Sequence, residues 1–570
     1  MRTILIAAVA ALALAIAPPG TDAQTLTDNS LTVTQIVSGL DTPTQIAFLG
    51  TNDFLVLEKN TGKVRRVIDG VLQTSPVLDV AVDNSDERGL LGIALHPGFV
   101  TNHFVYLCYT ESSTGNDSTG VNPLGIRIYR YQWTGSVLTN GTLIFEFPVE
   151  PGVDFHNGGV IAFGPDGKLY AVTGDHNRSG QLQNQPAGPA PDDTGVIVRL
   201  NDDGSVPSDN PFFAQGGNLA KYYAYGVRNS FGLTFDPVTG KLWDTENGPD
   251  HYDEVNLVEP GFNSGWREIM GPAARSSGST NNLFAAPGSH YADPQFSWLT
   301  TVAPTGLTFL NSTALGAKYE NDLFVGDFNN ANLYHFTVNS ARDALVLSGG
   351  LADKVADSSG ELSDVILGSG FSGISDLKVG PDGRLYVLSI SAGKVWAIAA
   401  LPVHDLAVVA LKAPRTIRLS ATTTNRTAKL SVTIQNLSPH SETIADVAML
   451  TNLVHVTVQS LGACPDRVAV LQPPKKLPLI LAPQKKLRLT WLVTYDCAND
   501  PLATTKDADH SDYRSTVTVN HAALDGNADT NPANDDCPRA PSGSDKGCGG
   551  KDPVTKQLGA DVLTDVVQKP

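Results

Sequence analysis

The chain has 570 residues, too many for one ordinary hydrophobic core, so at least two domains are expected. An apolar share of 41% with 17% charged residues describes a globular protein and excludes a disordered one. A formal net charge of −18 repels phosphate backbones and so argues against a nucleic-acid partner, while it suits solubility outside the cell and cations such as calcium.

The N-terminus, "MRTILIAAVAALALAIAPPGTDAQ", carries one arginine, an apolar run and then helix-breaking Pro18, Pro19 and Gly20. The run is short for a membrane span, and Thr21-Asp22-Ala23 offers a small-residue cleavage site. Residues 1–23 are therefore expected to be a signal peptide, with a retained anchor as the alternative. The mature protein is expected to be secreted or periplasmic, with no integral membrane span once the signal is removed.

From about residue 31 to 400 one short pattern recurs: apolar residue, tight turn, apolar strand. It reads "FLGTNDFLVL" from Phe48, "LHPGFVTNHFVYLCY" from Leu95, "FGPDGKLYAV" from Phe163, "FDPVTGKLWDT" from Phe235, "KYENDLFVGDF" from Lys318 and "VGPDGRLYVLS" from Val379. Asp-Gly and Thr-Gly between alternating apolar residues are hairpin signals. Six hairpins with no crossover helices between them predict an all-β fold, a six-bladed β-propeller over residues 31–400. The early strand "LTVTQIV" and the last strand "GKVWAIA" are expected to close the ring and remove a free edge.

After Ala400 the texture changes to alternating strands at sandwich spacing, such as "HDLAVVALKAPRTIRLS" and "KKLRLTWLVTYDC". An immunoglobulin-like β-sandwich is expected over 404–540, with a mobile tail over 541–570. Cys464, Cys497, Cys537 and Cys548 allow three pairings in an oxidising compartment; sequence order favours 464–497 and 537–548. "DGNADTNPANDD" places Asp525, Asn527, Asp529 and Asp536 at spacing like that of a calcium loop. Thr530 occupies the turn position that needs glycine, so a solvated acidic loop is the preferred reading.

Two clusters carry chemistry. In "GVDFHNGGVIAFGPDGKLYAVTGD", His156 stands at the entrance of a hairpin that ends on Asp175. A histidine beside a carboxylate makes a general base, because the carboxylate fixes the tautomer and favours the imidazolium. Gly158 and Gly159 leave room for a ligand or a close backbone. A structural His–Asp pair is the alternative. In "YGVRNSFGLTFDPVTGKLWDTENGPDHYDEVN", Arg228 is placed to stabilise negative charge on an oxygen and Asn229 to orient a ligand. Glu246, Asp250, Asp253 and Glu254 gather around the Gly248-Pro249 turn. Hard oxygens and bent backbone carbonyls suit Ca2+, against the alternative of an acidic surface loop.

"DERGLLGIALHPGF", "FHNGGVIAFGPDGKLYAVTGD", "VRLNDDGSVPSDNPF", "YGVRNSFGLTFDPVTGKLW", "ENGPDHYDEVN" and "PGFNSGW", in this order, resemble the glucose/sorbosone dehydrogenase family over residues 35–398. The resemblance implies a six-bladed quinoprotein that uses pyrroloquinoline quinone and calcium to oxidise an aldose to its lactone. The substrate would be an aldose or oligosaccharide; the electron acceptor is left unnamed. It implies that His156 takes the proton of the C1 hydroxyl, that Asp175 supports it, and that Arg228 and Asn229 contact the quinone. By the same resemblance Glu87 stands where relatives carry a quinone-contacting glutamine, with Arg88 beside it to offset the charge. Gly248 and Pro249 would present carbonyls to the catalytic calcium, and Asp253 and Glu254 lie in a motif tied to a second calcium.

The pattern departs from the family where the quinone's carboxylates would be gripped. A lysine and two arginines are replaced by Asn329, Gly373 and Ser375, with Arg178 or Arg267 as possible substitutes. Charge-assisted hydrogen bonds are worth about 1.5–3 kcal/mol each, so the loss bears directly on cofactor affinity. Three readings stay open: a sugar dehydrogenase with a rebuilt cofactor pocket, a non-catalytic calcium-stabilised propeller that binds carbohydrate or protein, and a calcium-dependent lactone hydrolase.

Overall fold

The computed structural model describes residues 24–120, 122–401, 404–420, 422–438, 440–461, 464–496, 513–525 and 562–568. The signal segment, Asn527, Asp529, Asp536, Cys497, Cys537 and Cys548 lie outside the described residues. The chain divides into two compact units, Met1–Ala400 and Leu401–Pro570. No helix among the described residues is long and apolar enough to cross a membrane.

The first unit is a six-bladed β-propeller built from six sheets, in each of which the three innermost strands pair antiparallel. The innermost strands are Pro43–Gly50, Leu90–Leu95, Ile161–Phe163, Gly232–Phe235, Pro304–Phe309 and Ile374–Val379; each packs beside the next, and the last returns to the first. Every one of the six repeated turns joins the first and second strands of a blade. The ring is closed as the sequence predicts: Leu31–Ser38 pairs antiparallel with Lys394–Ala400 on the sixth sheet. An early strand and the last strand of the unit thus share one sheet, which joins the ends of the ring.

The turn chemistry explains why these segments become hairpins. In Pro165-Asp166-Gly167, Gly167 sits at φ +72°, and the Asp166 carboxylate accepts the Lys168 amide at 3.0 Å and the Tyr170 hydroxyl at 2.9 Å. The copy at Pro381-Asp382-Gly383 repeats the device: Asp382 accepts the Arg384 amide at 3.1 Å and the Tyr386 hydroxyl at 2.9 Å. Glycine supplies the left-handed residue and aspartate locks the turn to the following strand.

Between blades the cores are apolar and aromatic. Tyr106, Phe147, Leu169, Val196 and Tyr222 fill the space between the second and third blades, and Trp243, Trp298, Leu323 and Tyr334 that between the fourth and fifth. Burying side chains of this size contributes roughly 1.5–3 kcal/mol each, which fixes the blades as a rigid ring around the axis. Cys108, in the second blade, is buried and unpaired, and burial pushes its thiol up to about 12.

In the second unit, one four-stranded sheet is Leu406–Lys412, Arg426–Asn436, Lys486–Tyr495 and Ala469–Gln472; another is Thr416–Leu419, Val562–Gln568, Tyr513–Val519 and Val454–Ser460. Leu430, Val432, Ile434, Trp491, Val493 and Val517 belong to one core between them. Cys464 is disulfide-bonded. The end of the chain corrects the expected mobile tail: Val562–Gln568 is a strand held between Thr416–Leu419 and Tyr513–Val519. "VLTDVVQ" is rich in β-branched residues, and the Gly-, Lys- and Asp-rich stretch before it hides that preference from a window average.

Candidate active site

A cavity of about 580 Å³ opens on the propeller axis, and all six blades line it. Thr44, Leu91, Val160, Phe231, Thr305 and Ile374 contribute one residue each from successive blades. Polar side chains concentrate where the first four blades meet: Lys59, Glu87, His156, Arg228, Asn229 and Asn247.

His156 lies on the loop before Ile161–Phe163 at φ +60°. Its neighbours explain how that conformation is held. A Cβ on Gly158 would sit 2.7 Å from the Val172 carbonyl oxygen, and one on Gly159 would sit 2.7 Å from Leu91 Cδ1. Only glycines let the loop press between the second and third blades. The imidazole Nδ1 stands 2.6 Å from Asp175 Oδ1, which leaves Nε2 as the nitrogen for the cavity.

Asp175 follows the strand Leu169–Thr173 and is fully buried. Its carboxylate also accepts Trp266 Nε1 at 2.6 Å and the Asn177 amide at 2.8 Å. Burial alone would raise this carboxyl; the bond and charge from His156, with Trp266 and Asn177, outweigh it and hold it below its ordinary value.

Arg228 is anchored at both ends. Its amide donates to Glu246 Oε1 at 2.7 Å, and Nη1 donates to the Asn247 carbonyl at 2.7 Å, with the guanidinium 5.2 Å from the Trp266 ring centre. Burial lowers its affinity for its proton, and Asp175, Glu246 and Glu87 act the other way. Glu87 receives the backbone amide of His156, the Asn157 amide at 3.2 Å and Asn229 Nδ2 at 3.1 Å. Burial pushes the Glu87 carboxyl up, against those donors and the nearby imidazole. So Glu87 braces the His156 loop as well as facing the cavity.

Lys59 is the residue that sequence reasoning missed. It lines the cavity and donates to Asn60 Oδ1 at 3.1 Å and to the Asn84 carbonyl at 3.5 Å. Burial lowers its pKa, and Asp86, Glu87 and Asp83 pull it back up. A signal for it existed. Lys59, Asn247, Phe328 and Ile390 are each the first residue after the second strand of their blade, and all four line the cavity. Asp175 holds nearly the same place in the third blade.

The substitute cations expected from sequence are placed elsewhere. Arg178 pairs with Glu150 and Asp192, both at 2.7 Å, and Arg267 donates to Asn177 at 2.6 Å and stands 3.7 Å from Asp175, behind the base. Arg88 donates to the Val153 carbonyl at 2.6 Å. None of the three lines the cavity. Asn329 and Gly373 do not line it either; Ser375 does, with its hydroxyl donating to the Pro43 carbonyl at 2.8 Å.

Around the Gly248-Pro249 turn, Asp253 is a strut. Its two oxygens accept the amides of Gly248 at 2.7 Å, Val302 at 2.6 Å and Ala303 at 2.7 Å. Neither Gly248 nor Pro249 lines the cavity, though Asn247 beside them does. Glu254 belongs to a buried acidic group with Asp244 and Glu246. Both Asp244 oxygens make no hydrogen bond among the described residues. Burial, with Glu246 adding to it, pushes the Asp244 and Glu254 carboxyls well up. Glu246 accepts the Arg228 amide and the Ser264 hydroxyl, and Glu254 accepts the Gly271 amide and Asn256 Nδ2, so of the three only Asp244 is left without a donor among the described residues.

The six blades and the histidine–carboxylate pair at their axis describe a propeller enzyme. The sequence profile of the Glucose / Sorbosone dehydrogenase family matches residues 40–397, so the chain belongs to that family of oxidoreductases. Aldose sugar dehydrogenase YliI of Escherichia coli is 29% identical over 357 residues, covering 61% of this chain and 87% of the relative. Quinoprotein glucose dehydrogenase B of Acinetobacter calcoaceticus is 32% identical over 281 residues, covering 45% of this chain and 57% of the relative. The crystal structure of the soluble aldose sugar dehydrogenase of E. coli in the apo form is similar with a TM-score of 0.52 at 26% identity, over 65% of this chain and 100% of that one.

Proposed function

We propose that the protein is an exported quinoprotein that oxidises the C1 hydroxyl of an aldose to the lactone. The observation that carries this reading is the His156–Asp175 pair, 2.6 Å apart, beside a cavity lined by all six blades. When bound, pyrroloquinoline quinone supplies the two-electron oxidant that takes hydride from the sugar's C1.

The residues present fit a flat, anionic group. Lys59 and Arg228 are cations on the cavity wall, with Asp86 and Glu87 as the acids near Lys59, and Leu91, Val160, Phe231, Phe328 and Ile374 give it apolar faces. Arg228 Nε, Asn229 Oδ1 and Asn247 Oδ1 are buried and make no hydrogen bond among the described residues, so one donor and two acceptors remain for a polar ligand. Lys59 would hold a carboxylate in place of the cations missing at Asn329, Gly373 and Ser375. Arg228 would face an anionic oxygen, with Asn229 and Glu87 beside it.

In the reaction His156 Nε2 accepts the proton of the C1 hydroxyl. Asp175 keeps the proton of the neutral ring on Nδ1 and stabilises the imidazolium that forms. Trp266 and Asn177 hold Asp175 in turn, so the base needs no reorganisation during proton transfer. For calcium, the Gly248 and Pro249 carbonyls are the proposed ligands, presented on the turn that Asp253 braces next to Asn247 of the cavity wall. Asp253 and Glu254 lie in the stretch proposed for a second, structural calcium.

The test is aldose-dependent dye reduction by purified protein loaded with pyrroloquinoline quinone and calcium. Turnover that disappears in His156→Ala supports the reading. Absence of turnover with any aldose, in protein shown to hold the quinone, would overturn it and leave a ligand-binding propeller.

A further inference from the structure

The second unit holds a side-chain cluster with no part in the propeller's chemistry. His404 stands just before the strand Leu406–Lys412, and Glu442 opens the strand Glu442–Ile444. His440 lies two residues before Glu442. One ligand atom from each of the three side chains lies within 4.8 Å of the other two. His404 Nδ1 is 2.8 Å from Glu442 Oε2, and His440 Nε2 is 3.2 Å from Glu442 Oε1.

Two features separate this cluster from an ordinary hydrogen-bonded network. His440 Nε2 is buried and close to the carboxylate, yet makes no hydrogen bond among the described residues. A buried imidazole nitrogen that faces a carboxylate without being aligned for a hydrogen bond to it is available as a metal ligand. The loop is also held from outside the cluster. Asn436 Nδ2 donates to the His440 carbonyl at 2.8 Å and to the Leu481 carbonyl at 2.7 Å, and Ser438 Oγ lies 2.8 Å from Glu442 Oε1. Outer partners of this kind orient ligands around a metal.

We propose that His404, His440 and Glu442 bind a divalent transition-metal ion, zinc foremost, with a fourth position open to water. Two imidazoles and one carboxylate form a common zinc donor set, and two nitrogens out of three disfavour calcium or magnesium. Ligand atoms of a tetrahedral zinc site lie roughly 3.3–3.5 Å apart, from bonds of about 2.0–2.2 Å. The 2.8 Å and 3.2 Å separations from Glu442 would open by a few tenths of an ångström to reach that spacing, and the half-exposed His440 ring can move to provide it. The ion would clip the segment entering the first strand of this unit to the 436–442 loop. His521 is not a ligand, because its Nε2 accepts the Leu406 amide at 2.8 Å.

The test uses the full chain, freed of metal by chelation and titrated with zinc, then with cobalt(II) for its visible spectrum. The expected result is one zinc per chain at this cluster, a cobalt spectrum of low-coordinate type, and no competition from excess calcium. His440→Ala, at the half-exposed position, should keep the fold by circular dichroism and weaken zinc binding by more than about 100-fold. Glu442→Gln should do the same if it folds. Zinc should raise the thermal midpoint of the wild type and leave that of His440→Ala unchanged. Failure of the folded wild type to take up zinc or cobalt, or uptake unaltered in His440→Ala, would overturn the proposal and leave a hydrogen-bonded triad.

Discussion

The cavity on the propeller axis has two unlike sides. Where the third and fourth blades meet, His156, Asp175, Trp266, Arg228 and Asn247 are joined by hydrogen bonds at 2.6–2.7 Å or by ring contact. Across from them the fifth and sixth blades offer Phe328, Ile374, Ser375, Ile390 and Ser391, which are apolar or short. The contrast teaches that proton transfer and ligand holding are separable in this fold. A base must be pre-oriented, and buried hydrogen bonds do that. A flat ligand needs shape and one or two charges, and these can come from any blade. Lys59, on the first blade, is where this chain puts its second cation.

Breaking the wired side should have the largest effect. His156→Ala is expected to lower kcat by about 10²–10⁴ with the fold unchanged, measured by steady-state kinetics with saturating quinone. A kcat within a few-fold of wild type would detach the His–Asp pair from the chemistry.

The next effect sharpens the contrast from the other direction. Lys59→Met should weaken quinone binding by about 10- to 150-fold, the loss of one charge-assisted bond of about 1.5–3 kcal/mol. In that variant kcat at saturation should stay near wild type. Ser375→Ala on the bare side should change affinity by less than about threefold, because its hydroxyl is already engaged by the Pro43 carbonyl. Equal losses in the two variants would erase the distinction between the sides.

A smaller effect concerns stability. His176, next to Asp175, is buried, and burial lowers its pKa from 6.5 to about 4. The unfolded chain therefore binds a proton that the folded one refuses between these values. Stability should fall as pH drops from about 6.5 to 4, by on the order of 3 kcal/mol from this residue. Denaturation midpoints against pH should show that loss in the wild type and a flatter profile in His176→Gln.

The propeller was legible because its signals are local. Each blade announces itself by a turn such as Pro165-Asp166-Gly167, whose glycine and aspartate serve that hairpin alone. His156 and Asp175 were legible for the same reason, since one hairpin joins them. Lys59 was not: nothing in "LEKNTGKV" marks it until the blades are aligned strand by strand, which equates it with Asn247, Phe328 and Ile390. Arg178, Arg267 and Arg88 were plausible cations on charge alone, and only the fold shows them bonded elsewhere. The strand Val562–Gln568 was hidden by distance, because its neighbours at Thr416–Leu419 lie far earlier in the chain. His404, His440 and Glu442 escaped for the same reason, being brought together across strands.

The most direct measurement is an equilibrium titration of the calcium-loaded apo-protein with pyrroloquinoline quinone, followed by its absorbance, in wild type and Lys59→Met. The account predicts saturable binding of one quinone per chain, weakened in Lys59→Met as stated above. An intact fold that binds no quinone at concentrations on the order of tens of micromolar, where even a weak complex of about −6 to −7 kcal/mol would be populated, would contradict it.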